Sequence, residues 1–441
     1  MSYTYPDALL EVVKQRWATG SSLRSSSAKV PLPEDKYILD LLHIAFQASL
    51  LSEEGRPLSF RIVFCTPQEL RKDVSLRNRN RPLIFSQPRP LSISELVGLA
   101  PAVDPSQSLI GVTAGGRDGL LVWGLVDAGL SWWEFTRGEW RADLGGSPPP
   151  DFLTVSSSRR GSLTVSRQGI VICGLHQGVI SVPTLQVLTT GPFGDFLNPI
   201  AVSFHQDLLA KLGAKHYDKE GHDEDYPQTF VLGFIERILI RVMERGHGGT
   251  LLLVPDNWNH DDSRLRDRLM IKYPMDDADT WETLLKTLRL HRSYYDRYFP
   301  AWNSKTVKQQ DFQVLHHLDH ELADTQDLVR DRANLIARLT GVDGAVVLTT
   351  RLRLLGFGAE IVAQSPALKM VAIAEDAKAK AITKRPLEDF GTRHRSALRF
   401  CSTHEDVAAL VVSQDGDIRA MLRVGADVVM WPSVGVSSFA V

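Results

Sequence analysis

Twice in the second half of this chain an apolar helical stripe runs into a glycine turn and then into a short apolar run. In the first, Leu232, Ile235, Leu239 and Val242 share one helix face, Arg245-Gly246-His247-Gly248-Gly249 breaks it, and Thr250 to Val254 follows as a buried strand. In the second, Leu315, Leu318, Leu322, Val329, Ala333 and Ile336 form the stripe, Gly341 ends it, and Ala345 to Thr349 reads as strand. Strands with so little polar alternation need cover on both faces, which restricts this half to a sheet wrapped by helices. The spacing also predicts a helix over Thr280 to Tyr294, a turn around Gly356-Phe357-Gly358 and a strand over Val407 to Ser413.

The first half has a different texture. Ile38, Leu41, Leu42, Ala45 and Ala48 predict a helix over Lys36 to Leu51, and Ser59 to Cys65 reads as strand. Short β-type runs then recur at Leu120 to Val126, Phe152 to Ser156, Ser162 to Val165, Ile170 to Cys173 and Val179 to Val182. Gly145 to Pro150 is a loop signal, and the polar run His216 to Pro227 marks a break. The fold class expected is mixed α+β, an α/β C-terminal domain with a mixed central sheet over 226–441, preceded by a strand-rich α+β domain over 1–225. A chain of 441 residues with 43% hydrophobic content can fill two such cores.

Charge and cysteine usage narrow the function classes. Fifty basic against 52 acidic residues leave a net charge of -2, so nucleic acid is not drawn by the chain as a whole and anion binding must be local. Cys65, Cys173 and Cys401 stand singly, without metal-ligand spacing or a disulfide framework. The N-terminus lacks a signal-peptide pattern, and the apolar helix Phe230 to Met243 is interrupted by Glu236, Arg237 and Arg241, against a membrane span. The expectation is a soluble, cytoplasmic protein.

The chemistry concentrates in two places. Gly391-Thr392-Arg393-His394-Arg395-Ser396-Ala397 sets two guanidinium forks around an imidazole behind a Gly-Thr turn at a helix start, a cluster suited to phosphate. Val342-Asp343-Gly344-Ala345 puts a carboxylate on a tight turn leading into a strand, where it can fix a divalent cation or accept a proton. His394 can ligate that metal or donate to a phosphate oxygen. Elsewhere, His316, His317, His320, Glu321 and Asp324 read better as a polar helix face than as a metal cluster, because the order is not HExxH. His222 to Asp225 reads as a solvated linker, and Gly111 to Gly119, lacking a Walker lysine, as a hairpin turn. Trp123, Trp132, Trp133 and Trp140 read mostly as core.

His247 to Val254, Asp343-Gly344-Ala345, Gly391 to Ala397 and Val411-Val412-Ser413 resemble, in that order, the diadenylate cyclase (DAC) domain. The resemblance covers roughly residues 228 to 441, with an insertion at about 256–310. The first half resembles the N-terminal extension of a bacterial variant group, described as a sensor domain with an unknown ligand or partner. The resemblance implies two DAC domains meeting face to face in a homodimer or higher homo-oligomer. Each carries ATP and Mg2+ or Mn2+, and together they form cyclic di-AMP and two pyrophosphates.

Carried over, Asp343 is catalytic beside the metal and the attacking hydroxyl. Gly344, Ala345 and Gly358 line the ribose and base pocket. Gly391, Thr392, Arg393, His394 and Arg395 hold the phosphates, with His394 also catalytic, and Ser413 closes the phosphate end. Metal ligation falls to Asp343, His394 and Asp415, the last because Ser413-Gln414-Asp415 stands where many relatives carry Ser-Glu. The alternatives are an inactive nucleotide-binding sensor and a cyclase making another cyclic dinucleotide.

Overall fold

The computed structural model describes residues 5–19, 30–53, 55–72, 81–105, 107–128, 151–176, 178–182, 187–212, 226–302, 308–363, 368–414 and 416–435. They form two compact mixed α+β units, one from the described residues up to Val182 and one from those between Val187 and Gly435.

The first unit holds α1 (Asp7–Thr19), α2 (Asp35–Ser49), β1 (Phe60–Phe64), β2 (Arg81–Pro90), α3 (Ile93–Leu99), β3 (Ser108–Ala114) and β4 (Leu120–Asp127). It continues through β5 (Leu153–Ser157), β6 (Ser162–Arg167), β7 (Ile170–His176) and β8 (Val179–Ser181). These eight strands form one sheet in the order β8-β7-β6-β5-β1-β3-β4-β2, with only β1 and β3 parallel. Leu41, Leu42 and Ala45 of α2 pack with Ile62, Val155 and Val165 on one face, while Val63, Leu109, Trp123 and Val126 form a second cluster. Trp123 lies over Gly111 and donates Nε1–H to the Cys65 carbonyl at 2.7 Å, so it is core as expected. Gly115 N–H closes on the Gly119 carbonyl at 2.7 Å, making the glycine run a hairpin turn. The readings on Gly145 to Pro150, His222 to Asp225 and the three other tryptophans lie outside the described residues.

The second unit begins with α4 (Gly191–Leu212) and α5 (Tyr226–Arg245), then β9 (Gly249–Val254), β10 (Leu269–Asp277), α6 (Asp279–Trp302) and α7 (Gln309–Leu339). There follow β11 (Ala345–Thr349), β12 (Leu354–Ile361), β13 (Met370–Ala374), β14 (Ile382–Pro386), α8 (Thr392–Ser402), β15 (Ala408–Val412), β16 (Ile418–Val424) and β17 (Asp427–Trp431). The sheet order is β10-β12-β11-β9-β15-β16-β17-β13-β14. The β9–β11 and β13–β17 pairs are parallel and the rest antiparallel, the mixed sheet the sequence predicts. Leu252, Val254, Val347 and Val411 meet Ala397, Leu398 and Phe400 of α8 on one face. Leu251, Leu253, Val346 and Leu348, which point the other way, are equally buried.

Two expectations need correction. The units divide between 182 and 187 rather than near 225, because α4 is packed into the second unit. Its Phe193 meets Trp431 edge-on at 5.8 Å, and its Asp207 accepts from Trp281 Nε1 at 2.9 Å. The stretch 256–310 contains β10, an edge strand that pairs with β12 in the sheet. Gly356-Phe357-Gly358 lies within β12 rather than in a turn. No helix among the described residues is long and apolar enough to cross a membrane.

Candidate functional site

Strand register collects the predicted residues at one end of the nine-stranded sheet. Leu251 lies opposite Val346 in the parallel β9–β11 pair, which sets Gly249 level with Gly344. Val412 pairs with Gly249, so Ser413 leaves β15 at that same end, and β16 returns from it with Ile418 opposite Val412. β12 runs out there too, with Ala359 opposite Ala345. Since β11, β9 and β15 are neighbours, the backbones at Gly344 and Val412 are two strand spacings, about 10 Å, apart.

On the Asp343 side the backbone packs without room for side chains. Gly344 has φ +113, and a Cβ there would lie 2.6 Å from the Gly358 carbonyl carbon and 2.8 Å from the Ala359 nitrogen. Glycine is therefore required behind Asp343, whose side chain stands at the exposed rim. Tyr273 stacks on Phe357 at 4.7 Å and 21° and reaches over Gly358, bringing an aromatic pair to this side.

On the other side α8 starts at Thr392 with Gly391 as an N-cap that offers no side-chain acceptor. The first helical bond is Arg395 N–H to the Gly391 carbonyl at 3.0 Å, so the amides of Thr392, Arg393 and His394 precede it, the arrangement that receives anions. Arg393 lies across Gly248 (φ +68), with Nη1 2.7 Å from where a Cβ would sit and the Val412 carbonyl and Gln414 nitrogen beside the same point. The His247-Gly248-Gly249 turn thus seats the Arg393 guanidinium. Arg395 Nη2 reaches Thr392 Oγ1 at 3.5 Å. Ser413 Oγ accepts from the Asp417 amide at 3.1 Å, leaving its own proton to donate.

His394 Nε2 lies 2.9 Å from Arg419 Nη1. A guanidinium only donates, so Nε2 is the acceptor. Burial, followed by the positive charges of Arg419 and Arg393, lowers the imidazole to about 4. The ring is neutral at pH 7 and carries its proton on Nδ1.

The donor set separates the three residues expected to hold Mg2+ or Mn2+. The Asp343 carboxylate suits a hard cation. His394 does not, because Nε2 is engaged by a guanidinium and two permanent cations adjoin the ring. Asp415 lies outside the described residues, among which no group of three or more His, Cys, Asp or Glu is gathered to hold a metal ion. On α7, the His316 and His320 rings meet edge-on at 4.5 Å and His317 pairs with Glu321 at 3.9 Å, both histidine pairs on its exposed face.

Sequence reasoning missed Arg419 and Tyr273. An arginine in β16 set between buried Ile418 and Ala420 is a signal that could have found the first. Lys272-Tyr273-Pro274 on an exposed edge strand carries none.

A mixed α+β protein of two units, the second with an arginine-bearing helix start and an exposed carboxylate at one sheet end, is what this geometry defines. Residues 27–127, which lie in the first unit and end with β4, match the family model described as "Probable sensor domain DACNV", the N-terminal sensor of DAC-domain proteins. No curated protein matches the chain.

Proposed function

We propose that the second unit is a diadenylate cyclase that condenses two ATP into cyclic di-AMP and two pyrophosphates, regulated by the sensor-type unit before it. One observation carries the reading: Arg393, at the start of α8, is seated on Gly248 at the same sheet end as the Asp343-Gly344-Ala345 turn. A helix start suited to anions and an exposed carboxylate thus share one sheet end, which supports a nucleotide lying there with its phosphates toward the first and its sugar toward the second.

In the reaction each ribose 3′-oxygen bonds to the α-phosphorus of the other ATP, the bond from that phosphorus to the bridging oxygen breaks, and pyrophosphate leaves with the electron pair. Asp343 takes the hydroxyl proton in this reading. Arg393, Arg395, the Ser413 hydroxyl and the amides at the start of α8 hold the phosphates in line, which is most of what phosphoryl chemistry asks of a protein. Asp343 would also hold the divalent cation, which when bound neutralises phosphate charge. Two protomers must face one another across a two-fold axis for each nucleotide to meet the other.

Incubation with ATP and Mg2+ or Mn2+, followed by mass spectrometry, tests the reading. Cyclic di-AMP is expected, and Asp343→Asn should lower its formation about a hundredfold or more while ATP still binds. Bound ATP without product under either metal refutes turnover. That outcome would favour the second reading, a nucleotide-binding module without catalysis, to which the neutral Gln414 beside Gly248 already points.

A further inference from the structure

Arg419 has no place in the motifs that define the phosphate end, yet its geometry puts it there. It stands on β16 opposite Val411, next to the Ser413–Asp417 turn that closes the sheet end. From that strand its guanidinium crosses to α8 and donates to His394 at 2.9 Å. Its Nε is buried without a hydrogen-bond partner among the described residues, and Asp417, its ion-pair carboxylate, is 4.0 Å from Nη2.

Resting on the cyclase reading, we propose that Arg419 is the positioning residue of the phosphate end. It fixes His394 as an Nδ1–H donor toward the nucleotide phosphates and adds a third guanidinium to those of Arg393 and Arg395. An imidazole can serve a polyanion only through an N–H, and an arginine at Nε2 leaves one tautomer for the neutral ring. The same charge sits beside the ring, so the pair presents a cation and a directed donor together, as a serine or lysine there would not.

The test uses the full chain with Arg419→Met and Arg419→Lys, and two probes, ATP and inorganic tripolyphosphate, in titration calorimetry. Arg419→Met is expected to weaken both probes about ten- to a hundredfold, with Arg419→Lys between it and wild type. In 15N-labelled wild type, long-range 1H–15N spectra should show His394 protonated on Nδ1 alone, and Arg419→Met should lose that single tautomer. Wild-type His394 protonated on Nε2 overturns the inference whether or not the variants fold. So does a folded Arg419→Met that binds tripolyphosphate within twofold of wild type. Tripolyphosphate separates this inference from the cyclase reading: wild type that binds it, with the arginine dependence described, but makes no cyclic di-AMP sinks the activity and leaves Arg419 in place.

Discussion

Gly344→Ala asks whether the turn behind Asp343 is fixed by backbone crowding. At φ +113 an L-residue pays roughly 1–3 kcal/mol of conformational strain. The new methyl would also sit 2.6 Å and 2.8 Å from backbone atoms of Gly358 and Ala359. These cannot swing aside as a side-chain tip can, because Ala359 is held opposite Ala345 in the β11–β12 ladder. Overpacking of this kind adds roughly 1–3 kcal/mol. The sum, about 2–6 kcal/mol, lowers the melting temperature of a unit this size by roughly 5–20 °C. Gly425→Ala is the matched control, since φ +59 carries strain but nothing lies within 4 Å of the added carbon. It should lose only about 1 kcal/mol. Urea unfolding of both variants, followed by tryptophan fluorescence, gives the comparison. If Gly344→Ala unfolds within about 0.5 kcal/mol of Gly425→Ala, the crowding argument is wrong.

Other sites give independent checks. In the first unit Arg167 lies over the Trp17 ring, donates to its carbonyl at 3.1 Å and forks onto Asp151 at 2.5 and 2.8 Å, all buried. Asp151→Asn should cost about 3–5 kcal/mol in urea unfolding, and a loss under 1 would refute the pairing. Burial on α5 pushes the Glu236 carboxyl up to about 7, above its unfolded value. The neutral form is therefore favoured by folding, and wild type loses stability as pH rises from about 4.5 to 7. Glu236→Gln should match wild type at pH 4.5 and exceed it by about 1–2 kcal/mol at pH 8, after discount for the side chain's partial exposure; a difference independent of pH rejects the assignment. Gly233, inside α5 with open space around it, should gain about 0.5–1 kcal/mol on replacement by alanine, measured by thermal melting.

Legibility in the sequence followed burial. β9 and β11 are covered on both faces, so nearly all their residues are apolar and the runs Thr250 to Val254 and Ala345 to Thr349 stood out. β10 and β14 are edge strands whose side chains are mostly exposed; backbone pairing holds them, and pairing leaves no periodicity to read. The domain boundary was misplaced because a polar stretch between two helices looks the same whether it joins domains or crosses one, and only α4's packing on Trp281 and Trp431 decides. Asp343, Gly344, Arg393 and Ser413 were found through local motifs. Arg419 was not, since its partner His394 is 25 positions away and the contact exists only in the folded sheet.

That dependence on the sheet reaches the order in which the chain can become competent. The central run β11-β9-β15 pairs residue 249 with 412 and residue 251 with 346, and closing such loops is slow compared with forming a hairpin. A nascent chain that stops before β15 has its second parallel strand but neither the seat of Ser413 nor the carbonyl beside Arg393. On the proposed cyclase reading, nucleotide binding should therefore appear late in refolding, after most helical signal has returned. It would then serve as a reporter of complete assembly where circular dichroism would not.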